Sequence, residues 1–312
     1  MHTHKLILIS SFVLVLCFSC KREKAPEIVI KEEKNSIVES VDKKDAITTL
    51  SQKMANQYEK AKQDFLADSD NVENIIWYGR RTAYLGKYKE AIEIYSDGIK
   101  KYPNEARLYR HRGHRYISIR EFDKAIDDLK HATTLIEGKE NNIEPDGLPN
   151  ALNIPVSSLH GNIWYHLGLA YYLKDDMKKA YHAYLNCRNL KSNDDNTASS
   201  TNWLYMIQRR MGNENKAKEV LDMITNDMTI IENTSYYNLC RFYKKILPID
   251  SLQIEKDTPQ DDATRYGLAN WFFYNGNKEK ARIRLQEILN GKSRSSFGYI
   301  AAESDYSRYF GE

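Results

Sequence analysis

Apolar residues recur at three- and four-residue spacings along most of the chain from about residue 45 onward, which is the pattern of amphipathic helices. The first such stripe consists of Ile47, Leu50, Met54, Tyr58, Ala61 and Phe65. No alternating apolar and polar run bounded by Asn-Gly turns occurs, so the pattern predicts no β-strand. The chain is therefore predicted to be all-α.

Small residues and aromatic residues mark a repeat within this helical pattern. Gly79, Tyr88 and Ala91 are followed thirty-four residues later by Gly113, Phe122 and Ala125. The fullest version contains Trp164, Leu167, Gly168, Tyr171, Ala180 and Tyr184. Each position answers a packing demand, because the glycine and alanine let two helices approach closely and the larger side chains fill the space between them.

These residues resemble the tetratricopeptide repeat (TPR), whose W-x2-L-G-x2-Y pattern recurs about every 34 residues. The resemblance is strong in three units between Val72 and Leu190, and weaker in two later units around Trp203 and Leu268. It implies a TPR-like α-solenoid of about five to six helix-turn-helix units with capping helices over residues 45–312.

The segment 138–159 interrupts the repeats, since it contains Pro145, Pro149 and Pro155 and few helix formers. Loops this long inside a compact array are uncommon and are usually functional or disordered. Its apolar side chains predict that this loop insertion packs against the domain, over one edge of the concave groove.

The N-terminus has the pattern of an export signal. Residues 1–19 contain one lysine followed by an apolar run, which is shorter than the roughly 20 residues of a membrane-spanning helix. The run ends at Ser19-Cys20 before a charged stretch, which resembles a bacterial lipoprotein signal of the Bacteroidota type. The resemblance implies a lipid on Cys20, a flexible charged tether over residues 20–44, and a lipid-anchored location in the bacterial cell envelope, at the outer membrane. An ordinary secretory peptide and an uncleaved anchor are the alternatives.

Charge and cysteine content narrow the function classes. The net charge of +3 becomes +2 without residues 1–19, whose only charged side chain is Lys5, and this argues against a nucleic-acid binder. Cys187 falls at a small-residue position of its repeat and is predicted to be a buried free thiol. A Cys187–Cys240 disulfide is the alternative that an exported compartment permits.

Catalytic signatures are absent from the sequence. It contains no G-x-S-x-G elbow and no H-E-x-x-H pair. His111, His114 and His166 are candidate metal ligands, but no carboxylate lies at helical spacing from the first two and no cysteine pair supports a structural zinc site. We therefore expect no enzyme, no cofactor and no metal.

In TPR arrays the first helix of each unit lines a concave groove, and the residues between its packing positions face the ligand. Those predicted here are Arg80, Tyr84, Arg110, His111, His114, Asn162, Tyr165, His166, Tyr172, Asn202, Arg209, Tyr266 and Asn270, with Arg210 beside them. This face is basic, aromatic and rich in amides, and it contains no carboxylate. The implied partner is a protein or peptide segment that is acidic or carries a free carboxylate.

These features predict a membrane-anchored interaction scaffold or assembly factor, which meets the membrane only through its N-terminal lipid. The alternative is a glycan-binding or enzymatic envelope component with a site near the 138–159 loop. Trp164, Trp203 and Trp271 could then stack on sugars, although they match or adjoin packing positions of the repeats.

Overall fold

The computed structural model describes residues 50–252, 254 and 258–311. The chain divides into two units, residues 1–52 and 53–312. The predicted signal, Cys20 and the tether lie outside the described residues. Among the helices that are described, none combines the length and the apolar character needed to cross a membrane.

The described residues form α-helices joined by short turns and one long loop. They are α1 (50–67), α2 (Val72–Tyr84), α3 (Tyr88–Lys101), α4 (Ala106–Ser118), α5 (Phe122–Leu135), α6 (Leu159–Leu173), α7 (Met177–Asn189), α8 (Asp194–Arg210), α9 (Glu214–Val220), α10 (Thr234–Tyr243), α11 (Pro259–Tyr274), α12 (Lys278–Leu289) and α13 (Phe297–Tyr309). Single 3-10 turns follow α9 and α10. An isolated antiparallel bridge joins Ile143 to Ser158 within the loop.

Helix pairs build the repeats as the pattern predicted: α2 with α3, α4 with α5, α6 with α7, α8 with α9, and α11 with α12. The repeat glycines are sites of close approach. A methyl group on Gly79 would lie 2.4 Å from the Tyr95 ring, and one on Gly168 would lie 2.7 Å from the Tyr184 ring. The all-α, TPR-like α-solenoid predicted from the sequence is confirmed.

The fourth unit departs from the repeat because Tyr205 stands where the earlier units have glycine. Its ring stacks on Tyr243 of α10, with centroids 4.1 Å apart and planes 13° apart. Helix α10 therefore packs against α8 through aromatic rings, and no regular second α-helix follows it within the described residues.

The turn inside each pair contains one residue with positive φ. Three are glycines, Gly86, Gly212 and Gly276, and two are not, since Arg120 has φ 68° and Asp175 has φ 63°. A non-glycine side chain in this region strains the backbone. Both strained residues contact the C-terminal helix α13.

Helix α13 packs against α11 and α12 and also reaches α6 and the turn after α4. Arg120 Nε donates to Glu303 at 2.6 Å, and Arg308 donates to the Leu173 carbonyl at 2.7 Å. The Tyr309 hydroxyl of α13 also donates to the Asp175 carboxylate at 3.3 Å. The chain's own last helix therefore fills part of the concave face.

The loop insertion lies on the same face. We call residues 142–158 the strap. Arg80 and Arg81 of α2 donate to the Pro145 and Gly147 carbonyls at 2.8 and 2.6 Å. At the strap's other end, Asn150 Nδ2 donates to Glu232 at 2.7 Å. The strap thus runs across the groove from α2 to the segment before α10, further than the edge predicted from the sequence.

Candidate functional site

Six predicted groove residues are buried, and the prediction that they face a ligand is wrong for the four that have almost no exposed surface. Tyr172, Asn202, Tyr266 and Asn270 are all exposed by 2% or less. The prediction assumed an open groove, whereas Tyr172 of α6 and the two α11 side chains contact one another and Asp305 of α13.

A buried hydrogen-bond network explains three of them. The Arg210 guanidinium pairs with the Asp305 carboxylate, with one N···O distance of 2.9 Å. The Tyr266 hydroxyl donates to Asp305 at 2.6 Å, and Asn270 Nδ2 donates to the Tyr172 hydroxyl at 2.6 Å. Burial opposes the Arg210 charge, but Asp305 keeps the pKa of that guanidinium well above its usual value. These side chains connect α6, α8, α11 and α13.

Three further predicted residues lie elsewhere on the array. Arg209 donates to the Asn275 side chain at 2.8 Å, near the turn that ends α11. Arg80 and Tyr84 lie under the strap, where the Gly147 backbone packs on the Tyr84 ring.

A trough remains open between the strap and α13. It consists of two adjoining cavities of about 340 Å³ each. They share the lining residues His114, Glu232, Asn233, Tyr236 and Phe297. The first also touches the strap, α4, α6 and the start of α8, and the second extends to the starts of α11 and α13.

Five predicted groove residues meet in this trough: Arg110, His114, Asn162, Tyr165 and His166. The His114 and His166 rings lie 4.3 Å apart, and both pack against Phe297 at the start of α13. Sequence reasoning therefore found the side of the trough formed by α4 and α6. Whether these residues bind a ligand stays a prediction.

The trough histidines are held neutral. Burial, and then the charge of Arg110, lower the pKa of His166 to about 3. His166 Nδ1 lies 2.5 Å from the Asn162 carbonyl oxygen, which can only accept, so Nδ1 carries the proton and Nε2 is an acceptor. Burial and Arg115 also hold the pKa of His114 well below its usual value.

A chain of hydroxyl groups ends in the trough. Trp203 Nε1 donates a hydrogen bond to the Tyr165 hydroxyl at 2.7 Å. The Tyr165 hydroxyl in turn donates a hydrogen bond to the Tyr236 hydroxyl at 3.2 Å. The Tyr236 hydroxyl can then donate a hydrogen bond to an acceptor in the trough. Burial raises the pKa of both tyrosines, so they remain protonated and serve as hydrogen-bond groups.

The predicted groove face contained no carboxylate, whereas two carboxylates lie near the trough. Glu144 of the strap is buried and pairs with Arg110, whose Nη2 lies 3.0 Å from Glu144 Oε2. Asp195, at the start of α8, accepts from the backbone N–H groups of residues 231–233 at 2.7–2.9 Å. Asp195 thereby positions Glu232 and Asn233 in the lining. Both carboxylates meet their partners through long-range folding, which no local pattern reports.

Several other predicted features can be located. Among the described residues, no group of three histidine, cysteine or acidic side chains is placed to hold a metal ion. Cys187 and Cys240 are buried free thiols. Trp203 is buried against Tyr184 in parallel stacking at 5.6 Å, so it offers no face to a sugar.

No family model and no curated protein matches this sequence. Among solved structures, it is similar to a tetratricopeptide repeat protein from Parabacteroides merdae ATCC 43184, with 14% identity and a TM-score of 0.46 over 85% of this chain and 98% of that one. It is also similar to YrrB, described as a TPR protein with an unusual peptide-binding site, with 14% identity and a TM-score of 0.42 over 79% and 99%. A chain of the APC/C hetero-tetramer Cut9-Hcn1 gives 15% identity and a TM-score of 0.48 over 80% and 40%.

Proposed function

We propose that the protein is an interaction scaffold that binds an extended peptide or protein segment in the trough. The observation that carries this is the continuity of the two cavities, which share five lining residues and so form one continuous site. Amide and hydroxyl groups along it, such as Asn162, Asn233 and Tyr236, can satisfy a peptide backbone. Aromatic side chains provide the kind of anchor that binding hot spots favour.

The trough is preorganised. Tyr165 is fixed by Trp203, and His166 is fixed by the carbonyl of its own helix. Side chains that are already ordered lose little conformational entropy on binding, so more of the contact energy contributes to affinity.

Photo-crosslinking tests the proposal directly. A benzophenone amino acid is placed at Tyr236 in the trough, and a matched variant carries it at Tyr181 on α7, outside both cavities. We expect discrete adducts from position 236 in cells and none of the same adducts from position 181. Ser235→Trp, which adds bulk to the second cavity, should abolish them, while Ser69→Trp at an exposed turn should not. Identical adducts from both positions would contradict the proposal.

We further propose that the scaffold is anchored at the bacterial cell envelope through lipid on Cys20. The support for this anchor is the sequence around Cys20. In this arrangement the chain meets the membrane only through the lipid. Cys20→Ser should move the protein from the membrane fraction to the soluble fraction, and mass spectrometry of the mature N-terminus should show acyl chains on the wild type. Unmodified Cys20 in the wild type would contradict the anchor.

A second candidate is a saccharide-binding role. The observation that favours it is the first cavity, where strap residues 156–158 meet amide groups and two tyrosine hydroxyls within about 340 Å³, a volume in the range of small-ligand sites. A glycan array with wild-type protein and Tyr236→Ala tests it. Binding that is lost in the variant supports this role, and absence of any glycan binding excludes it.

A further inference from the structure

One carboxylate is recognised in detail at the N-terminal end of the concave face. Arg110 Nη2 lies 3.0 Å from Glu144 Oε2, and His111 Nε2 lies 3.8 Å from Oε1. Asn162 Nδ2 also donates to Glu144. The Arg110 guanidinium donates to His111 Nδ1 at 2.8 Å, so His111 presents a protonated Nε2 toward the carboxylate. Oε2 of Glu144 is therefore met by Arg110 of α4 and Asn162 of α6, and His111 Nε2 faces Oε1 at a longer distance.

The positive charge around this carboxylate exceeds what Glu144 can pair. Arg80 and Arg115 lie near Arg110, and Arg115 forms no ion pair within the described part of the chain. Burial lowers the pKa of Arg115, and the charge of Arg110 lowers it further. The Nε atoms of Arg80 and Arg110 are buried without a hydrogen-bond partner. Asp146 of the strap faces Arg80 without an ion pair, and burial raises the pKa of that carboxyl. The site is built for more anionic contact than the strap supplies.

The strap is attached in the manner of a bound ligand. It buries a carboxylate, while Leu148, Leu152 and Ile154 are exposed by 52%, 63% and 48%. A segment that belonged to the core would place these aliphatic side chains inside and its charge outside. The polar attachment consists of hydrogen bonds to strap carbonyls, the bond from Asn150 to Glu232 and the ion pair of Glu144. Val156 is the one aliphatic side chain of the strap that is buried, so little apolar area holds the strap in place.

We propose that the Arg80, Arg110 and Arg115 cluster binds a carboxylate of the partner segment, and that Glu144 occupies this site until the partner carboxylate displaces it. This rests on the proposed function, because Arg110 and Asn162 line both this site and the trough. A segment whose acidic residue or C-terminal carboxylate replaces Glu144 can continue directly into the first cavity. Charge-assisted bonds to arginine suit a carboxylate at this position.

Competition sets the affinity. A ligand tethered on the same chain acts at an effective concentration in the millimolar range, so the strap weakens every external segment that needs the same site. The apparent dissociation constant rises in inverse proportion to the fraction of molecules with the strap released. Weakening the strap without touching the arginines should therefore strengthen external binding.

A synthetic peptide of residues 139–158, labelled with fluorescein, is the probe. Its binding to the full-length chain in detergent is followed by fluorescence anisotropy. We expect the Glu144→Gln protein to bind this peptide at least tenfold more tightly than the wild type does. The same peptide with Glu144→Gln should bind that protein at least tenfold more weakly, and adding Arg110→Gln to the protein should remove the gain.

Two variants control for folding and for charge. Glu140→Gln removes an exposed charge beside the strap and should leave the wild-type affinity unchanged. Asn150→Ala breaks the hydrogen bond to Glu232 at the strap's far end. It should therefore also bind the peptide more tightly than the wild type does, and it replaces Glu144→Gln if that variant does not fold.

Equal affinity of the two peptides for the strap-weakened protein, or no gain over the wild type, would overturn the proposal. This failure is distinguishable from failure of the scaffold function. Adducts from Tyr236 together with equal peptide affinities would mean that the trough binds a partner without a carboxylate at Arg110. The carboxylate site alone would then be rejected.

Discussion

Gly168 shows how one missing methyl group positions the trough. A Cβ at this site would lie 2.7 Å from the Tyr184 ring, which is itself stacked on Trp203. Because neither ring can move freely in the core, we expect Gly168→Ala to reduce the free energy of unfolding by about 1–3 kcal/mol. Urea unfolding measures this. Gly86→Asn is the comparison, since its Cβ meets open space at a positive φ that asparagine tolerates. A smaller loss for Gly168→Ala than for Gly86→Asn would contradict the packing argument.

The neutral His166 predicts a dependence of stability on pH. Its pKa is about 3 in the folded protein, below the unperturbed value near 6.5. Between these pH values the unfolded state binds a proton that the folded state does not, so stability falls as the pH falls. The contribution approaches about 1.4 kcal/mol per pH unit. The slope of unfolding free energy against pH measures the protons taken up on unfolding. Between pH 6 and 4, His166→Gln should lower this number by about one. His182→Gln, at an exposed position, is the control. An unchanged slope would mean that His166 is protonated in the fold.

At the scale of elements, two turns are strained where they hold α13. Arg120 and Asp175 adopt positive φ, whereas the corresponding turns elsewhere use glycine. Arg120→Gly relieves the strain but removes the contacts to Glu303 and to the Arg294 carbonyl. We expect little change in global stability, within about 1 kcal/mol, because a gain from relief of strain opposes the lost contacts. Amide hydrogen exchange in α13 should nevertheless increase. Unchanged exchange there would show that Arg120 does not hold this helix.

The helix pairs could be predicted because their signals are local. Gly79 and Tyr95, or Gly168 and Tyr184, lie sixteen residues apart in one hairpin, so the sequence pattern and the contact coincide. The closing of the groove could not be predicted in the same way. Arg210 and Asp305 are separated by 95 residues, and Arg120 and Glu303 by 183. Glu144 lies in a segment without helical periodicity, so nothing in its neighbours indicated that its carboxylate would meet Arg110.

At the scale of the whole molecule, the Arg210–Asp305 pair connects elements that are far apart in the chain. Asp305 lies on α13, Arg210 on α8, Tyr266 on α11 and Tyr172 on α6, and all four side chains meet in a region closed to solvent. Removing one partner leaves the buried guanidinium uncompensated. We expect Asp305→Ala to cost about 3–5 kcal/mol of unfolding free energy, as broken buried pairs do. Glu303→Ala is the matched change on the same helix, and it should cost about 1 kcal/mol or less because that ion pair is partly exposed.

The pattern of the loss distinguishes two roles for this network. If it connects the helices, hydrogen exchange in Asp305→Ala should increase together in α6, α8 and α11, as well as in α13. The trough would then loosen too, because α6 provides Asn162, Tyr165 and His166 to its lining. Increased exchange confined to α13 would instead mean that the C-terminal helix is an attached cover and that the repeats fold without it. In that case the groove predicted from the repeats would be a state that the chain can reach by releasing α13.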